Sequence, residues 1–316
     1  MAVKFALFAA LGAALVASPA GAARFTADRI VFEDVTGAVE ITTTGGDETE
    51  VVIRQGKTYR RIGVSEEGGV VTLKGERWKE DETDDCCNDR IRRTFEPRQG
   101  RTMSTGAPLD EDLFADYPTI TVTMPREGDV SFVDARIKLK MDSLDGALAL
   151  DACYVYGEAG DVGQAVIGII EGSRLVVGDV GAGLEVDVSG DADLLTGDAS
   201  MAEIDIAGPG DVVIGDIGGM LDVSIAGSGT VRAARLDGPL TARIAGSGAV
   251  SVKAGRADTL KAIIDGSGGV FFEGTAVQPD LRLSGSAEVR MGAMTGRLTR
   301  FGGGEVYVAD KLIERK

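Results

Sequence analysis

The sequence predicts an all-β protein whose C-terminal half is a parallel β-solenoid with 18–20-residue coils, preceded by a β-rich N-terminal segment. Three observations carry that prediction. A glycine recurs at Gly172, Gly190, Gly208, Gly227, Gly246, Gly266, Gly285 and Gly302, at intervals of 18, 18, 19, 19, 20, 19 and 17 residues. Apolar residues alternate two apart on both sides of that glycine, which is the period of a strand. The composition is rich in glycine, with 45 in 316 residues, and poor in aromatics at 5%, which suits a narrow column of stacked coils.

In chain order, residues 1–23 have the three parts of a secretory signal. Lys4 stands in a short leading region, an apolar run spans Phe5 to Ala17, and Ala20-Gly21-Ala22 supplies small residues for cleavage near Ala22 or Ala23. The run is too short to cross a bilayer, which takes about 20 helical residues. No second apolar stretch of spanning length follows, so the mature chain is expected to carry no integral membrane segment. The expected location is periplasmic or secreted.

Residues 24–130 read as a β-rich segment. Short alternating stretches occur at Ile30-Val31-Phe32, Val39-Glu40-Ile41, Val51-Val52-Ile53, Val70-Val71-Thr72-Leu73 and Tyr117 to Met124, separated by glycine pairs and closed by Pro125. Residues 79–116 interrupt them with another composition. This insertion opens on Glu80-Asp81-Glu82-Thr83-Asp84-Asp85 and turns basic at Arg90, Arg92, Arg93, Arg98 and Arg101. It has no apolar period, so it reads as a solvated charged loop or a docking arm. Trp78, at its start, is expected to be core. An exported chain can form disulfides, and the three cysteines are Cys86, Cys87 and Cys153. Adjacent Cα atoms sit about 3.8 Å apart whereas disulfides prefer about 5.5 Å. Cys86 or Cys87 is therefore expected to pair with Cys153.

Residues 131–310 hold the solenoid. Before the glycine come Leu184-Val186-Val188, Ala202-Ile204-Ile206, Leu221-Val223-Ile225, Leu240-Ala242-Ile244 and Leu260-Ala262-Ile264; four and six residues after it come pairs such as Val212-Ile214 and Val250-Val252. Each repeat thus reads as two short strands joined at a glycine corner, spelled Gly227-Ser228-Gly229 or Gly246-Ser247-Gly248. One such pair cannot bury its apolar side, whereas stacked coils share one column. Eight to ten coils are expected. A β-sandwich, the alternative, does not require a glycine at one fixed offset. Leu148-Leu150 and Val130-Phe132 mark less regular leading coils, and Val306-Tyr307-Val308 an irregular last one. Residues 311–316 form a charged tail suited to covering the open end.

The Val39-Glu40-Ile41 and Val51-Val52-Ile53-Arg54-Gln55-Gly56 stretches, the Thr119-to-Pro125 strand and the serial Ile-Ala-Gly-Ser-Gly corners resemble the GIN domain. That glycine-rich bacterial family is named for the head domains of autotransporter adhesins. The resemblance covers residues 35–78 and 117–310. It implies a right-handed β-helix-like domain in an exported protein, and it brings no catalytic residues.

The chain has no histidine, which removes the Ser-His-Asp triad, His-ligated zinc proteases and a histidine general base. A net charge of −17 disfavours nucleic acid and anionic lipid as partners. In a solenoid, equal offsets stack into rows. Glu185, Asp187, Glu203, Asp205 and Asp222 should form an acidic patch, a candidate oxygen site for calcium, with no other cofactor expected. Arg243, Lys261 and Arg282 should form a basic area on the same face, a candidate for polymer binding. The corner serines Ser228, Ser247, Ser267 and Ser286 should make an external hydroxyl row with no base beside them. The combined reading is an exported, non-enzymatic solenoid that binds envelope polysaccharide or protein. Its alternatives are a carbohydrate-active β-helix enzyme and a subunit that assembles by end-to-end stacking.

Overall fold

The protein, seen in a computed structural model that describes residues 22–57, 61–75, 114–170 and 172–314, is a β-solenoid of about nine turns. The glycine column sets the register. Strand Leu221–Gly227 pairs in parallel with Ala199–Gly208 on one side and Leu240–Gly246 on the other, so that Gly208, Gly227 and Gly246 lie side by side. We call this the first face. The second face follows the glycine: Asp193–Thr196 stacks in parallel between Arg174–Val177 and Asp211–Ile217. Parallel pairing in the stack excludes the sandwich, whose sheets are antiparallel.

A third, short side closes each coil, beyond the two strands that the repeat predicts. Buried Ala199 pairs there with Ile217, and Ile217 with Leu236. It explains the coil length. Two strands of four to seven residues are shorter than the repeat, and the remainder brings the chain back across this side. The inward residues of all three sides form one column in which Val186, Ile204, Val223 and Ala242 succeed one another. Burying each Val, Leu or Ile contributes about 1.5–3 kcal/mol.

Stacking begins before residue 131. Strand Arg29–Glu33 pairs in parallel with both Val70–Lys74 and Asp129–Met141, while Thr36–Thr44 pairs in parallel with Thr119–Pro125 and the same Asp129–Met141. Residues 29–44 are therefore a coil held between segments that follow it in sequence. Antiparallel strands finish this end: Gly63–Glu67 on Val70–Lys74, Thr49–Arg54 on Thr119–Pro125, and Ala22–Phe25 on Thr49–Arg54. At the other end Lys311–Leu312 pairs antiparallel with Glu305–Val308. Arg300 ties that turn down by donating to the carbonyls of Ile313 and Gly304 at 2.9 and 2.8 Å. The start of the charged tail is thus a cap.

The column is not uniformly aliphatic. Phe32 and Phe132, fully buried, stack at 4.5 Å with rings inclined by 12°, and Phe272 is buried further along. Residues 1–21 of the expected leader, Trp78, Cys86 and Cys87, and residues 79–113 of the insertion lie outside the described residues.

Candidate binding surfaces

Outward positions of the first face stack as the repeat predicts. Glu185 lies beside Glu203 and Glu203 beside Asp222, while Asp187 lies beside Asp205. Farther along, Lys261 follows Thr241 in the first row, and Arg243, Ile263 and Arg282 succeed one another in the second. Glu185, Asp187, Glu203, Asp205, Arg243 and Arg282 are exposed, with Asp222 and Lys261 half-buried. The acidic and basic areas meet where Arg243 Nη1 lies 2.6 Å from Asp222 Oδ1. One sheet face is therefore acidic over one length and carries Arg243, Lys261 and Arg282, with Asp280 beside Lys261, over the next.

Among the described residues no group of three or more His, Cys, Asp or Glu side chains could hold a metal ion. The physical reason is the ladder itself. In-register strands set equivalent Cα atoms about 4.8 Å apart and send like side chains side by side into solvent, whereas a hard cation needs oxygens converging on one point.

The corner serines are exposed, and their backbone explains them. The amides of Ser228, Ser247 and Ser267 donate to the carbonyls of Gly208, Gly227 and Gly246 in the preceding coil at 3.1, 2.9 and 2.9 Å. Cys153 occupies the same corner in an earlier coil, where it is buried and disulfide-bonded. Next to it Tyr154 contacts Phe114, which also packs edge-on against Tyr117. Burial pushes the Tyr154 phenol up to about 12. These contacts fix the returning end of the 79–116 insertion at this corner.

Two features lie outside the glycine-anchored alignment. The first is an aspartate ladder where the second face turns into the third side. Asp161 donates its amide to Ser143 Oγ at 3.0 Å; thereafter the Oδ1 atoms of Asp161, Asp179 and Asp198 accept the amides of Asp179, Asp198 and Asp216 at 3.0, 2.8 and 2.7 Å. Hydrogen bonds to a charged acceptor are the strong ones, so the ladder satisfies amides that the corner takes out of the sheet. A glycine precedes each aspartate because a Cβ would strike the acceptor of the coil before, the Ser143 hydroxyl at Gly160 and a carboxylate thereafter; at Gly197 it would sit 2.2 Å from Asp179 Oδ1. The signal is in the sequence as Gly-Asp at 160–161, 178–179, 197–198 and 215–216.

The second feature is the outward centre row of the second face. Val176, Leu195, Val213, Arg232, Ser251, Phe271, Arg290 and Tyr307 succeed one another in register. Val176 and Leu195 are 38% and 46% exposed, and the Arg290 guanidinium lies over the Tyr307 ring at 4.2 Å. From Leu195 onward these positions stand five residues after the anchor glycine, between the two inward offsets.

No protein-family model and no curated protein matches the chain. Among solved structures, one named "putative adhesin" from Parabacteroides distasonis aligns over 92% of this chain and 96% of its own, at 14% identity and a TM-score of 0.42. Another of that name from Bacteroides fragilis aligns over 92% and 98%, at 12% identity and a TM-score of 0.31. Likeness at that level transfers neither ligand nor activity, and the fold above rests on the chain's own strand register.

Proposed function

We propose that the protein is an exported, non-enzymatic binding module of the bacterial envelope, of the kind the GIN-domain resemblance implies, acting in adhesion or in retention of an envelope or extracellular polymer or protein. The observation that supports this is the first face: acidic rows at Glu185, Glu203, Asp187 and Asp205 run in register into a basic area at Arg243, Lys261 and Arg282. Such a face offers a long polymer many shallow charged contacts. Fold by itself assigns no activity.

The test incubates the exported chain, with and without Ca²⁺, with fractionated envelope and extracellular polysaccharides, measuring co-sedimentation and new chain ends in the same tubes. Retention without new ends is expected. Reversal at Glu203, Asp205 and Asp222 to lysine should abolish retention while leaving the β-sheet spectrum unchanged. New chain ends would replace this reading with the carbohydrate-active enzyme, and growth of light scattering with concentration would favour the end-to-end assembly. Retention dependent on Ca²⁺ would point to cation bridging by the acidic rows.

A further inference from the structure

The two faces differ in what they show to solvent. Where the first face carries charge in both outward rows, the second face carries aliphatic side chains in its centre row through three successive coils, at Val176, Leu195 and Val213. An outward aliphatic side chain gains nothing from the column beneath it, and three in register form a strip rather than scattered exposure.

Carboxylates border that strip on both sides. Two residues before Leu195 and Val213 stand Asp193 and Asp211, in register with one another, while Arg174 holds the same place before Val176. Beyond it, past the flat glycines Gly178, Gly197 and Gly215, runs the aspartate ladder. One oxygen of each Asp179 and Asp198 side chain is committed to an amide of the next coil. The carboxylates are thereby held in place, in exposed residues, with the second oxygen left over. Asp211 is offset by Arg232 at 3.7 Å. Asp193 is held above the usual carboxylate range, first by burial and then by the neighbouring Asp211, with Arg174 acting the other way. A cation brought between Asp193 and Asp211 removes that repulsion.

We infer that the second face, at Val176, Leu195 and Val213, is a docking strip for an extended protein segment that alternates basic and aliphatic residues along one of its sides. An extended chain sends every second side chain to the same side, about 6.8 Å apart, so a chain laid along the strand direction can set an aliphatic residue over Leu195 between basic residues over Asp193 and Asp198. The apolar centre and charged rim follow the usual anatomy of a protein interface. A polycation without apolar groups has no use for the strip, which is why a protein segment fits better than a cationic polysaccharide. This surface is separate from the charged first face.

The test uses the exported chain and four capped octapeptides with serine at every second position and Lys-Val, Lys-Ser, Ser-Val or Glu-Val alternating at the others, with binding followed by fluorescence anisotropy at low and high salt. The Lys-Val peptide should bind, weaken as salt rises, and exceed the other three by at least about tenfold in affinity. Leu195→Ser with Val213→Ser should weaken it by at least about tenfold, as should Asp193→Asn with Asp211→Asn. All four positions face outward, and an unchanged β-sheet spectrum verifies folding; if either pair fails that check, Leu195→Lys alone replaces it. Equal binding of Lys-Ser would overturn the proposal by reducing it to attraction between opposite net charges. So would parental affinity in the strip variants, absence of Lys-Val binding at millimolar concentration, or loss of binding on Glu203→Gln with Asp205→Asn, which would move the ligand to the first face.

Discussion

The coils at Arg29–Thr44 and Asp129–Met141 and those from Leu221 to Gly266 turn the same corner by different means. In the leading pair the corner residues are Asp34 and Asp134, with φ of 55° and 53°, a left-handed conformation that aspartate tolerates. In the middle of the stack they are Gly227, Gly246 and Gly266, with φ of 134°, 126° and 135°, which a side chain rarely adopts. The cores differ as well. The leading coils enclose the Phe32–Phe132 stack, whereas the middle ones enclose Val223, Ala242 and Ala262. The middle of the stack thus gets its precision from backbone contact between coils, and the leading end from filling its interior with aromatic rings. The difference shows that a repeat is most regular where the backbone itself is the packing surface.

The largest effect is expected where a ring is removed from the leading end. Phe132→Ala deletes a fully buried side chain and leaves Phe32 facing a cavity, at a cost of about 3–5 kcal/mol. Urea unfolding should show a lower midpoint. A loss below about 1 kcal/mol would mean that the leading coils close around the gap and are no more ring-dependent than the middle.

Next comes the backbone of the middle. A Cβ on Gly246 would sit 2.4 Å from the carbonyl oxygen of Gly227, the same oxygen that accepts the amides of Ser247 and Gly248 at 2.9 and 3.0 Å. Gly246→Ala should therefore cost about 2–3 kcal/mol, combining strain with loss of those bonds. Asp134→Gly should stay within about 1 kcal/mol, since its left-handed corner is open to both residues. Equal losses in the two variants, read from the same denaturation curves, would erase the contrast between the corners.

The middle of the stack was legible because its constraint repeats. From Gly208 to Gly302 every anchor glycine stands where a Cβ would meet the backbone of the coil before it, so the period writes itself into the sequence, and the inward rows and the charged first face follow from offsets alone. Two things with the same period escape an alignment centred on one corner: the Gly-Asp pairs at the next corner and the strip on the second face. The leading end was legible as strands but not as a stack. Alternation in Ile30-Val31-Phe32 identifies a strand, yet its neighbours begin at Val70 and Asp129, and no local pattern records so distant a pairing. Of the three cysteines, Cys153 is buried and disulfide-bonded at that end.

A pH measurement separates the two regions by chemistry. Tyr154, at the leading end, has its phenol raised from 10.0 to about 12, mainly by burial. The native state holds that proton more tightly than the unfolded one, so the stabilisation is fully present below pH 10 and is lost as pH rises from 10 to about 12. Tyr154→Phe should flatten the alkaline limb of the stability curve. Tyr307, raised by its hydrogen bond to Glu305, acts in the same direction at the far end, so Tyr307→Phe is the comparison. If Tyr307→Phe flattens the curve more, the buried aromatic corner is not the alkali-sensitive point.

The smallest effect belongs to the charge boundary on the first face. Arg243 and Asp222 pair at 2.6 Å, but their side chains are 48% and 26% exposed, so solvent screens the attraction and holding two side chains in one geometry offsets part of it. Exposed pairs of this kind contribute about 0–1 kcal/mol, and Arg243→Ala should lower stability by no more than that, the loss shrinking further at high salt. The column beneath, from Leu221 to Ile264, does not depend on the pair. A loss of 2 kcal/mol or more, seen as a shift in the urea midpoint at low salt, would mean that the middle coils rely on surface charge as well as on backbone contact. A small loss leaves Arg243 free to be replaced in the polymer-binding assay, where any change in retention then reports on the face and not on the fold.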